Sequence, residues 1–154
     1  AAPCRVLEMG CGLAIPSLLA SRMGFEVLAT DFHPQVERFL KLNREHNHAQ
    51  SLEYRDWDWK SGATLSQKFD WVIGSDLLYD KDLPIPLARM MAQSVTADGK
   101  ITLTDPARPY LQQFCDELTQ NLGFKQSSRI IAVPHPKPDA PGFKQEIFVL
   151  DFTR

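Results

Sequence analysis

Apolar residues follow two alternating rhythms along the chain. Residues 4–9, Cys4-Arg5-Val6-Leu7-Glu8-Met9, form a short β-compatible run that stops at Gly10-Cys11-Gly12. Over 15–23 the apolar positions Ile15, Leu18, Leu19 and Met23 recur at helical spacing, Pro16 suits a first turn, and Gly24 ends the segment. Residues 26–31 read as a second strand, and 34–46 as a helix with Val36, Phe39, Leu40 and Asn43 on its inner face. The alternation continues with strands over 52–57 and 69–76, a helix over 83–95 entered through Pro84 and Pro86, and a strand over 100–104. A helix over 110–122 is stopped by Gly123, and the rhythm then changes. Two β-rich runs, 124–133 and 143–152, are separated only by the proline-rich stretch 134–142. Strands joined without a crossover pair antiparallel. The expected architecture is therefore α/β: a doubly wound, mostly parallel sheet with a C-terminal antiparallel hairpin.

Length and composition narrow this picture. The 154 residues fit a single domain over 1–154, and 44% hydrophobic with 23% charged residues is a globular balance. A formal net charge of −2 gives no global field toward nucleic acid or an anionic membrane, so neither partner is expected. No apolar run approaches the roughly 18 residues that would span a bilayer, and the chain reads as cytoplasmic. Cys4, Cys11 and Cys115 lack CxxC spacing, which argues for reduced thiols and against a disulfide framework or a zinc site. The four histidines show no metal-ligand spacing.

Candidate chemistry concentrates at the strand ends. A glycine turn between a first strand and first helix lets a ligand approach the backbone and the free N–H groups of the helix. Gly10-Cys11-Gly12 fits that role, but the dinucleotide fingerprint asks for a third glycine where Ile15 stands. Glu8, two residues before Gly10, would repel a pyrophosphate and attract an ammonium or sulfonium. Asp31 ends the second strand, where an acid accepts hydrogen bonds from ribose hydroxyls. A glycine turn flanked by two such acids points to a cationic nucleoside.

On these residues the sequence resembles a known superfamily. Val6-Leu7-Glu8-Met9-Gly10-Cys11-Gly12 with Ala29-Thr30-Asp31 is similar to the S-adenosylmethionine signature of class I, seven-stranded methyltransferases, with Ala14 where many members have a third glycine. Ser75-Asp76-Leu77-Leu78-Tyr79 resembles the D-x-x-Y element of the protein lysine methyltransferase branch. Thr104-Asp105-Pro106-Ala107-Arg108-Pro109 resembles the DPxRP strand end of electron-transfer-flavoprotein β-subunit lysine methyltransferases and their bacterial relatives. The likeness runs over 5–124. It implies a Rossmann-like fold, S-adenosyl-L-methionine as cofactor and a protein lysine as acceptor. It further implies cofactor contacts from Glu8, Gly10, Gly12, Asp31 and Ser75, and an adenine corner from Trp57, Asp58 and Trp59, one tryptophan facing the ring and the other in the core. Asp76 would orient the acceptor amine, with Tyr79 packed against it or bonded to it. Members usually carry a segment ahead of the first strand, so a core without its lid is expected.

Rival readings remain open: a methyltransferase acting on a small molecule or nucleic acid, and a non-catalytic binding module of the same fold. A nicotinamide-dependent oxidoreductase is opposed by Ile15 and Glu8. Asp105 is a candidate for the acceptor site or for a turn with Pro106. The stretch 134–142 is a candidate substrate lip or a plain hairpin connection. Oligomeric state is left open.

Overall fold

Residues 3–133 and 145–154 are described by a computed structural model. Seven strands form one sheet: β1 (Arg5–Met9), β2 (Glu26–Asp31), β3 (Leu52–Asp56), β4 (Phe69–Ser75), β5 (Val95–Asp105), β6 (Lys125–Val133) and β7 (Gln145–Thr153). Their order is β3-β2-β1-β4-β5-β7-β6, parallel from β3 through β5, with β7 antiparallel to both β5 and β6. The chain winds outward from β1 to β3 and then returns to lay β4 on the other side of β1. The strand order reverses there, and in open α/β sheets the crevice at such a reversal is where ligands bind.

Alternation along β1 divides the interior. Leu7 and Met9 join the larger core with Val72, Leu87, Met91, Leu103 and Phe114, beneath α3 (Pro84–Ser94) and α4 (Leu111–Asp116). Val6 joins a smaller core with Leu18, Val27, Val36 and Leu40, beneath α1 (Ile15–Arg22) and α2 (Val36–His46). Glu8 shares the face of Val6, as a period of two requires.

Four expectations need correction. Of the apolar positions that mark α1, Leu18 is buried with Ser17, Ala20 and Ser21, whereas Ile15, Leu19 and Met23, the last just past the helix, are 67%, 61% and 66% exposed. Small side chains let α1 approach the sheet closely, and bonds from Ser17 to Glu8 fix its rotation. In α2, Val36 and Leu40 are buried one turn apart whereas Phe39 is exposed, and the Asn43 amide donates to the Leu13 carbonyl at 3.2 Å. The fifth strand starts at Val95: buried, β-branched Val95 pairs with Phe69, residues 96–99 bulge, and Lys100 resumes pairing at Trp71. The helix expected over 110–122 runs as α4 and then as a π turn, Glu117–Asn121, in which the Leu122 N–H donates to the Glu117 carbonyl at 3.1 Å. Buried Glu117 accepts from Arg89 Nε and Asn121 Nδ2, both at 2.6 Å, and these bonds hold its carboxyl below the usual range.

The stretch 134–142, read as a lip or a connection, lies outside the described residues. Among the described residues no helix is long and apolar enough to cross a membrane, and no cluster of His, Cys, Asp and Glu would hold a metal. The three thiols are free, and burial pushes those of Cys11 and Cys115 up.

Candidate active site

The carboxyl ends of β1, β2 and β4 meet at the reversal of strand order. Glu8, buried near the end of β1, accepts a bond from the Ser17 backbone N–H at 3.1 Å and a second from the Ser17 hydroxyl. A carboxylate there satisfies a free N–H in the first turn of α1. Burial pushes its pKa up to about 7, against the pull of the Ser17 bonds, and Asp31 adds to the rise.

The turn after β1 is left-handed at alternate positions, with φ of 65° at Gly10, 51° at Gly12 and 56° at Ala14. Such angles favour glycine. At Gly10 a Cβ would stand 2.5 Å from Leu77 Cδ2, whereas at Gly12 it would meet nothing within 4 Å, which leaves the backbone open to a ligand. Asp31 fixes the turn from β2: Oδ2 accepts from the Gly12 N–H and Oδ1 from the His33 N–H, each at 2.9 Å.

Beyond β4, Asp76 also takes a left-handed conformation, φ 57°, and its N–H donates to the Thr104 carbonyl at 2.9 Å. Its Oδ1 receives Arg108 Nε and Nη2, both at 2.6 Å. Asp105, at the end of β5, performs the turn role: buried, it accepts the Arg108 backbone N–H on Oδ1 at 2.6 Å. Burial raises the Asp105 carboxyl above its usual range although Arg108 opposes the rise.

These ends enclose a cavity of about 630 Å³, within the range of small-molecule sites. Its wall includes Glu8, Gly10, Gly12, Asp31, Trp59, Ser75, Asp76 and Tyr79. Two of the residues expected to hold the cofactor are not part of that wall. Trp57 is core, its Nε1 donating to the Ala63 carbonyl at 3.0 Å, because the chain turns inward after β3. Asp58 caps the one-turn helix Trp59–Ser61, accepting the Lys60 N–H at 2.9 Å. Trp59 is buried as well, yet it reaches the cavity wall. Sequence reasoning passed over Phe32, which lines the wall directly after Asp31 with Lys60 Nζ 5.3 Å from its ring centroid. An aromatic residue immediately after the strand-end acid was the available signal. A separate cavity of about 550 Å³ lies over α2, among Glu37, Lys41, Arg44 and Tyr54, away from these strand ends.

The family model described as lysine methyltransferase matches residues 1–121. The chain belongs to the lysine methyltransferase family. A curated relative, calmodulin-lysine N-methyltransferase of Arabidopsis thaliana, is 26% identical over 126 residues, which span 74% of this chain and 41% of that protein. Solved structures agree on the fold. Precorrin-6y C5,15-methyltransferase of Geobacter metallireducens superposes with a TM-score of 0.81 at 14% identity, over 99% of this chain and 82% of the other. A TehB-like SAM-dependent methyltransferase of Corynebacterium glutamicum gives 0.73 at 21% identity, over 100% and 82%. This member of the lysine methyltransferase family thus has a Rossmann-like, doubly wound fold with S-adenosylmethionine as cofactor. The cavity suits that group: acids from two strands, Glu8 and Asp31, line it and the backbone lies open at Gly12.

Proposed function

We propose that this lysine methyltransferase family member transfers a methyl group to the side-chain amine of a protein lysine. The observation that carries the proposal is the placement of Asp76 and Tyr79 on the rim of the same cavity whose floor holds Glu8, the glycine turn and Asp31. Two functions then share one edge of the sheet, with cofactor groups from β1, β2 and the last residue of β4, Ser75, and acceptor groups from the turn after β4. Glu8 draws a cationic ligand, Gly10 and Gly12 let it approach the backbone, Asp31 accepts from the ribose, and Trp59 walls the base. S-adenosylmethionine supplies an electrophilic methyl carried on a sulfonium.

With that group bound, transfer to lysine would make an N–C bond at the expense of the C–S bond, so the acceptor nitrogen needs a free lone pair. A lysine with ordinary pKa near 10.4 must therefore lose a proton on the way to the product. Among the described residues no strong base lines the rim, and alignment with exclusion of water supplies the rate, a contribution that reaches roughly 7–11 kcal/mol in well-oriented systems. Tyr79, 58% exposed at the mouth, is accessible to a large acceptor such as a lysine side chain on a protein. The calmodulin-lysine specificity of the curated relative supports the same acceptor class. We place the reaction in the cytoplasm, in keeping with three free thiols.

Full-length protein incubated with S-adenosylmethionine and lysine-bearing protein acceptors should add one or more methyl units to lysine, read by mass spectrometry, with a lysine-to-arginine acceptor silent. Methylation confined to a nucleobase or a small metabolite would move the acceptor elsewhere.

The raised Glu8 makes binding pH-dependent. A cation beside it favours its carboxylate, so binding releases a proton, and affinity for S-adenosylhomocysteine, whose ammonium remains, should fall roughly fivefold from pH 7 to pH 6. The same group affects stability with the opposite sense of pH. Its folded pKa, about 7, lies above the ordinary glutamate value of 4.5, so its contribution is full below pH 4.5 and lost as pH rises through about 7. The difference is at most about 3 kcal/mol. Glu8→Gln should flatten both dependences, as read by calorimetry and by denaturation at several pH values.

A further inference from the structure

We infer that Arg108 is a positioning residue for Asp76 that sets the charge of the acceptor rim, so that the incoming amine is delivered neutral. The inference rests on the lysine-acceptor reading and concerns a residue outside the cavity wall. Asp76, exposed at the rim, gives one carboxylate oxygen, Oδ1, to both Nε and Nη2 of Arg108 at 2.6 Å. Oδ2 takes no bond among the described residues. The carboxylate is thus held in one orientation with a lone-pair side free for an amine N–H, while its charge is balanced by the guanidinium.

The holder is itself held. The Arg108 backbone N–H donates to Asp105 Oδ1 at 2.6 Å, Asp105 is 1% exposed, and Ala107 between them takes a left-handed φ of 66°. Pro106 and Pro109 flank the turn. Asp76 is tied to the same strand end through its N–H bond to Thr104. The ion pair therefore spans the ends of β4 and β5 on a stiff frame.

Charge explains what the frame accomplishes. The titratable groups of the cavity wall are Glu8 from β1, the buried thiol of Cys11 in the turn after it, Asp31 from β2, and Asp76 and Tyr79 after β4. Asp105 lies behind Arg108, Asp80 follows Tyr79, and Lys60 sits over Phe32 on the far wall. No Lys or Arg lines the wall among the described residues. An unbalanced Asp76 would hold an incoming ammonium in its protonated, unreactive form, since an opposite charge within about 4–6 Å favours the charged state. With Arg108 paired, the rim still orients the amine without stabilising its positive charge, so the ammonium yields a proton to solvent water and its nitrogen lone pair is freed for attack.

The test is the pH dependence of the single-turnover methyl-transfer rate, with full-length protein, saturating S-adenosylmethionine and a lysine-bearing acceptor. Arg108→Gln should move the rising limb of that profile upward by about one pH unit, and Arg108→Lys should hold it near the wild-type position. Asp76→Asn, which keeps the shape and leaves Arg108 unbalanced, should move the limb the other way, on a lower plateau. A limb unmoved in Arg108→Gln and in Asp76→Asn, with only the plateau reduced, would overturn the inference and leave Arg108 a structural tie. Absence of transfer to lysine by the wild type at every pH would instead refute the underlying acceptor reading, an outcome distinct from an unmoved limb.

Discussion

Asp76→Ala should lower methyl transfer to a lysine acceptor by about a hundredfold or more, while affinity for S-adenosylhomocysteine stays within about threefold of wild type. The split follows from the site's division, because Asp76 stands on the rim after β4 and the proposed cofactor groups, from β1, β2 and Ser75 at the end of β4, do not include it. An interaction completed only in the transition state is lost from kcat and from kcat/KM together. Two consequences for the fold accompany the change: Arg108 loses its partner, and alanine must take the φ of 57° that Asp76 holds. The left-handed position costs an alanine roughly 1–2 kcal/mol. Turnover is therefore to be normalised to folded protein, measured by circular dichroism on the same sample. Tyr79→Phe keeps the ring and should be the milder change. Equal turnover per folded molecule in wild type and Asp76→Ala would eliminate the proposed role.

Gly10→Ala should destabilise the fold by about 2–4 kcal/mol, the sum of a left-handed alanine and overpacking against a filled core. The collision partner is Leu77, buried in the larger core, whose Cδ2 lies 2.5 Å from where the new Cβ would be. Gly12→Ala is the informative comparison, since its added carbon meets no atom within 4 Å. It should cost only the backbone term, about 1 kcal/mol, yet weaken cofactor binding by filling the surface a ligand approaches. Urea denaturation separates the two. Equal midpoints for both variants would show that Leu77 yields freely.

The parts of this structure legible in the sequence are those with a strong period or a strong stop. The βα alternation, the turn at Gly10-Cys11-Gly12 and the closing hairpin all have such signals, and the sheet contains them. What escaped detection depends on tertiary partners. The rotation of α1 is set by Ser17 reaching Glu8, a polar contact that outweighs the apolar stripe Ile15, Leu19 and Met23. The π turn depends on Glu117 finding Arg89, 28 positions away. Trp57 and Trp59 share chemistry and near-identical burial, and only the path of the chain decides which one reaches the cavity. Arg108 was visible as part of a motif, but its pairing with Asp76 belongs to the sheet order that brings β4 beside β5.

The seam between β1 and β4 has a kinetic consequence. It joins segments distant in the chain, as the bond from the Arg5 N–H to Asp70 Oδ2, 2.9 Å long and across 65 positions, makes plain. Closing such a loop costs entropy before any contact repays it, so this pairing forms late compared with the β6–β7 hairpin. The cavity sits on that seam, and a ligand recognising only the closed form has no hold on the folding transition state. Saturating cofactor should therefore lengthen the native-state lifetime in unfolding jumps and leave the refolding rate nearly constant.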